Sequence, residues 1–166
     1  MSNTRTVVDT FLFWEKSTPE NIFLRQPIND VWKTWTFQEA GLEIKKIASY
    51  LIRLNLPPHS KVALLSKNCA HWIMADFAIW LAGHVSVPLY PTLSAESIHE
   101  ILEHSESSVI ILGKLDDYRS QQAGIPAALQ RISVGTYGIQ EGTLWEEIVQ
   151  GDQLATFASV EPGCEK

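Results

Sequence analysis

Cysteine is scarce in this chain. Cys69 and Cys164 are the only two in 166 residues, far apart and outside any C-x-x-C or Cys/His spacing. That argues against a disulfide framework and a thiolate zinc site, and makes a reducing compartment the default. The five histidines, His59, His71, His84, His99 and His104, include no pair at i, i+4 that could grip a metal from one helix face. Basic charge is short as well. Thirteen Lys and Arg against nineteen Asp and Glu give a net charge of -6, with no basic stripe for phosphates, so nucleic acid is not an expected partner. The longest apolar run, Trp72 to Gly83, is broken by Asp76 and too short to span a bilayer. Met1 to Thr10 has no apolar stretch of the secretory kind. A cytoplasmic, soluble chain with no transmembrane segment is expected. Neither common phosphate cradle is present, neither G-x-x-x-x-G-K-S/T nor G-x-G-x-x-G, and no G-x-S-x-G elbow offers a nucleophilic serine.

What remains is an ordinary globular composition, 45% hydrophobic and 19% charged, long enough for one core and so for one domain or most of one. Val7 to Trp14 is apolar at helical spacing. Ile22 to Gln26 and Val31 to Thr36 read as a hairpin around Pro27-Ile28-Asn29-Asp30. Thr36 and Glu39 form a capping box for a long helix whose Ile44, Ile47, Leu51 and Leu54 line one face, with Glu43, Lys46 and Arg53 turned elsewhere. From Lys61 the period changes to alternating strands and helices. The strands are Val62 to Leu65, Val85 to Leu89, Val109 to Leu112 and Arg131 to Val134. The helices are Cys69 to Ala82, capped by Asn68, then Ser94 to His104, and Thr143 to Val149. Runs of this kind predict βαβ units. The fold class is α/β: three layers, a mostly parallel sheet with flanking helices, plus an N-terminal β-hairpin.

Few residues point to chemistry on their own. Gly135, Gly138 and Gly142 lack the lysine and helix entry of a phosphate loop and read as a turn. His99 with Glu103, and Glu100 with His104, have the spacing of pairs on a solvated helix face. Cys69 reads as a buried, unreacted thiol. Asp76 is a carboxylate inside an apolar helix, flanked at four residues by Trp72 and Trp80, and a structural hydrogen bond is its expected role. Trp72, Phe77 and Trp80 are expected as core anchors rather than a cofactor box.

Four ordered strings carry a resemblance. Trp35-Thr36-Phe37-Gln38-Glu39-Ala40 resembles the string that opens the first long helix of the AMP-forming acyl-CoA synthetase and luciferase superfamily. Lys61 to Trp72 (KVALLSKNCAHW), Leu81 to Thr92 (LAGHVSVPLYPT) and Ser105 to Ile111 (SESSVII) resemble three further passages of that superfamily, in order and at the right separations. The match is strong from Val31 to Gly113 and weaker after Lys114. Tyr90-Pro91-Thr92-Leu93-Ser94 looks most like the long-chain fatty acid branch.

The resemblance implies a parent enzyme that activates a fatty acid with ATP and Mg to an acyl-adenylate, then passes the acyl group to coenzyme A. It implies a Thr/Ser/Gly phosphate loop, a downstream set that holds adenine and magnesium, and a catalytic lysine in a mobile C-terminal domain. None of those strings occurs in residues 1–166. Val160-Glu161-Pro162-Gly163 looks like the approach to that loop. The chain is therefore read as a partial N-terminal AMP-binding domain that ends before the phosphate-binding loop. No catalytic, cofactor-binding or metal residue is carried over, and no cofactor is expected on this chain alone. The alternative is a stand-alone binding or dimerisation module on the same fold, with possible self-association through exposed apolar surface. A third reading, a complete small nucleotide-binding protein, has the missing phosphate loop against it.

Overall fold

The computed structural model describes residues 5–157. Helix α1 (Val7–Ser17) starts at a capping box in which Thr6 and Asp9 satisfy each other's free backbone N–H groups. Strands β1 (Ile22–Ile28) and β2 (Val31–Thr36) form an antiparallel hairpin. The two residues between them, Asn29 and Asp30, both have positive φ (50° and 63°), the backbone of a tight hairpin turn. Thr36 and Glu39 then cap α2 (Phe37–Arg53) as the sequence predicts. The face it buries includes Ala40, Ile44, Ile47 and Leu51. Gly41 lets α1 approach: a Cβ there would fall 2.0 Å from the Glu15 carboxylate, which pairs with Lys45 at 2.6 Å.

The alternating part comprises β3 (Lys61–Leu65), α3 (Ala70–Leu81), β4 (Val85–Leu89), α4 (Ala95–Ser105) and β5 (Val109–Leu112). There follow a short α5 (Tyr118–Gln121), β6 (Gln130–Ser133), β7 (Thr143–Leu144) and α6 (Trp145–Gln150). All five strands are parallel, in the order β4-β3-β5-β6-β7. Alternate strand residues enter two cores. Val62, Leu64, Val109 and Ile111 face α1, α2, α3 and α6, whereas Ala63, Leu65, Ile110 and Leu112 face Ile98 and Leu102 of α4. Burial on both sides is why these strands read as continuous apolar runs. Three layers and a separate hairpin agree with the expected class.

Pro27 and Ile28, expected in the hairpin loop, are paired residues of β1, and three further local expectations need correction. Helix α3 is capped by Cys69, whose sulfur accepts the Trp72 N–H at 3.4 Å, and not by Asn68. Thr143 and Leu144 are a strand beside β6, so the last helix begins at Trp145. The third concerns the aromatic anchors. Met74, Ala75, Ala78 and Ile79 of α3 are buried, but Trp72 and Phe77 are only partly covered and Trp80 is 41% exposed. The cause is topological. Helix α3 lies over β4, the outermost strand, so its outer flank has no neighbouring strand beneath it. Among the described residues, no helix is long and apolar enough to cross a membrane.

Candidate functional site

The strand order creates one natural opening. From β3 the chain moves outward to β4 through α3, then returns past β3 to β5 through α4 on the opposite face. Beyond the carboxyl ends of β3 and β4 the following segments diverge, and such switch points are where open α/β sheets hold ligands. A cleft of about 280 Å³ lies there, lined by Ser66, Asn68, Trp72, Pro88, Leu89, Tyr90 and Pro91. Its floor is fixed by Ser66, whose hydroxyl donates to the Lys67 carbonyl at 2.7 Å and accepts the Lys114 N–H at 2.9 Å. Gly113 makes this possible, since a Cβ at that position would stand 2.4 Å from the Ser66 oxygen. Lys67 pairs with Asp116 across the same edge. Tyr90, at 79% exposure, stands free at the rim. The walls are mostly apolar and aromatic, suited to a flat or hydrocarbon surface.

Behind this edge lies a buried polar network. Gln26 on β1 accepts the Ala70 N–H at 2.6 Å and donates through Nε2 to the Tyr137 oxygen at 2.8 Å. The Tyr137 hydroxyl lies 2.8 Å from His71 Nδ1. Burial holds the His71 imidazole at a pKa of about 4, with opposing help from the Glu43 charge. The ring is therefore neutral near pH 7, and Nδ1 is free to accept the tyrosine proton. Trp35 and Trp145 stand edge-on to it, each 5.5 Å away. Their indole N–H groups both donate to Glu43, at 2.9 and 2.8 Å. With His71 3% exposed, this cluster is a brace that joins hairpin, α2, α3 and α6 rather than an acid–base centre.

The glycine loop is a turn, as predicted, and the structure gives a reason. The N–H groups of Gly135 and Thr136 and the Thr136 hydroxyl all donate to the Glu146 carboxylate, at 3.0, 2.9 and 2.7 Å. This small anion cradle is filled by the chain's own side chain. Burial alone would raise the Glu146 pKa, but these hydrogen bonds outweigh it and hold the carboxyl below its ordinary value. Asp76 finds its donor in the Ser86 hydroxyl of β4, not in an indole. Burial raises its pKa against that bond. His99 and Glu103 meet at 3.4 Å on an exposed face, and Glu100 and His104 are exposed too. Cys69 is buried and free. Cys164 and Val160-Glu161-Pro162-Gly163 lie outside the described residues. Among the described residues, no group of three or more His, Cys, Asp or Glu could hold a metal ion.

Gln26 and Tyr137 escape sequence reasoning because their partners lie 44 to 111 residues away, and Glu43 because its two donors come from β2 and α6, 8 and 102 residues off. Tyr90 and Ser66 were reachable only through the strings they belong to.

Comparison with known proteins agrees with those strings. The family model for the AMP-binding enzyme matches residues 13–161. The chain is 35% identical over 104 residues to the long-chain-fatty-acid–CoA ligase heimdall of Drosophila melanogaster, covering 63% of this chain and 15% of that protein. It is 30% identical over 128 residues to the long-chain-fatty-acid–CoA ligase FadD15 of Mycobacterium bovis, covering 75% of this chain and 21% of that one. The chain thus spans about a fifth or less of the curated relatives it matches. The acetoacetyl-CoA synthetase of Streptomyces lividans shares the fold, with a TM-score of 0.78 over 92% of this chain and 26% of its own, at 17% identity. With the family model matched over nearly its whole length, the chain belongs to the AMP-binding enzyme family.

Proposed function

We propose that this chain is the N-terminal part of an AMP-forming long-chain fatty acid–CoA ligase, acting in the cytoplasm, and that it does not catalyse the reaction alone. The observation that carries the reading is the agreement of the four strings with the sheet's architecture. The second and third strings run from β3 and from the end of α3 to the switch-point cleft. In the whole enzyme, ATP, Mg and coenzyme A would serve the two half-reactions, with a fatty acid as the carboxylate. Adenylation needs preorganised donors around the phosphates. Residues 1–166 contain no Thr/Ser/Gly loop, and the one anion cradle described above is occupied by Glu146.

Calorimetric titration of the purified chain with Mg-ATP tests the inactive-alone half of this reading. No saturable heat is expected up to about 1 mM nucleotide, the weak end of specific affinities. Saturable binding near micromolar concentration would overturn it. The second reading, an assembly module on the same fold, is favoured by one feature, the exposed outer strand of the hairpin.

A further inference from the structure

Open strand edges are templates for pairing with another chain, and proteins guard them with proline, charge or shortness. Among the described residues, four strands have an open edge: β4 and β7 in the five-stranded sheet, β1 and β2 in the hairpin. On β4, Val85 donates its N–H inward to the Ser60 carbonyl. By strand alternation Ser86 and Pro88 therefore present their backbone outward, and Pro88 has no N–H to give. Strand β7 is only two residues long. In the hairpin, the tight turn makes Ile28–Val31 a hydrogen-bonded pair, followed by Gln26–Lys33 and Leu24–Trp35. The outward residues of β1 are then Phe23, Arg25 and Pro27, again with a proline among them.

Strand β2 carries no proline and is not short; its one guard is the charge of Lys33. Its outward N–H and C=O groups belong to Trp32 and Thr34, and Val31 to Thr34 are all exposed, with Trp32 at 66%. We infer that β2 is a pairing edge for a second copy of this chain, joined antiparallel across a twofold axis at Lys33. In that register Trp32 faces Thr34 of the second copy and the reverse holds too, so the edge is self-complementary. Four N–H to C=O bonds form, and each Trp–Thr contact is a stabilising aromatic–β-branched pair. Two hairpins that are marginal as isolated sheets become one sheet of four strands.

Neighbouring registers do worse. An axis at Trp32 sets Thr34 against Asp30, whose φ of 63° is not that of a strand. An axis at Thr34 sets Trp32 against Thr36, whose N–H is already donated to Glu39 at 2.8 Å. The chosen register places Lys33 opposite itself, a like-charge pair. Each ammonium is drawn 4.5 Å over the ring of its own Trp35, away from the axis. The inference rests on hairpin geometry and is independent of the ligase reading.

Sedimentation velocity of the 166-residue chain between about 10 µM and 1 mM tests it. A monomer–dimer equilibrium that tightens with added salt is expected, because salt screens the Lys33 pair and the net negative charge. Thr34→Pro removes one outward N–H from each copy and leaves the bonds to β1 intact, so dimerisation should weaken about tenfold or more. Lys33→Glu, mixed with the unmodified chain, should form a heterodimer tighter than either homodimer. This arm decides the matter even if Thr34→Pro fails to fold. A chain that stays monomeric to 1 mM, or a dimer indifferent to Lys33→Glu in the mixture, overturns the inference.

Discussion

Glu43→Ala is expected to cost about 2–5 kcal/mol of folding stability, because two buried indole N–H donors lose their acceptor together. The carboxylate sits between two indoles, and Trp35 and Trp145 are each 1% exposed. Truncation leaves both N–H donors in the core with no acceptor, each at a cost of about 1–3 kcal/mol. It also removes the hydrogen bond by which Trp145 of α6 reaches 102 residues back in sequence to α2. Since a domain has only about 5–15 kcal/mol in total, the variant should sit near its unfolding threshold. Glu43→Gln keeps one acceptor oxygen and should lose less. Urea denaturation measures both, and a loss under about 1 kcal/mol for Glu43→Ala would mean that the indoles find water or another partner.

The second large effect is on pH dependence. His71 titrates near 6.5 when unfolded and at about 4 in the fold, because burial penalises its charged form. Between those values the unfolded chain takes up a proton that the folded chain refuses. Stability is therefore fully present above pH 6.5 and is lost as the pH falls towards 4. The shift corresponds to roughly 3 kcal/mol. Asp76, held above its ordinary value by burial, works in the opposite direction, while the lowered Asp9 and Glu146 act at lower pH. The comparison with a variant isolates the histidine. His71→Phe keeps the ring but not the basic nitrogen. Its melting temperature should fall less between pH 7 and pH 4.5 than that of the unmodified chain, whereas parallel curves would show that His71 does not titrate as described.

Local chemistry made much of the fold legible. The Thr36–Glu39 capping box, the Ser94 cap and the strands at Val62–Leu65, Val85–Leu89 and Val109–Leu112 each depend on neighbours within a few residues and fall where the sequence predicts, and the fourth strand falls one residue earlier than expected. The strand order is not local, yet a parallel sheet with helices on both faces followed from strand–helix alternation. The failures are equally physical. Helix α3 looked covered all round because hydropathy counts residues, not the position of β4 at the sheet's edge, and Trp80 was misread for that reason. Glu43 looked like a solvent-facing charge because both of its donors come from other elements. The polar brace around His71 has members on β1, α3 and the loop before Gly138, and no periodicity links them.

On the function proposed above, this chain supplies the front of a fatty acid–CoA ligase without the adenylating machinery. Fatty-acid-dependent ATP–pyrophosphate exchange tests it most directly. It would be measured on the purified 166-residue chain and on the mycobacterial FadD15 ligase with its matched region replaced by this chain's residues. Background exchange by the chain alone and clear exchange by the chimera are expected. Robust exchange that co-purifies with the isolated chain, or a folded chimera with none, would contradict the proposed function.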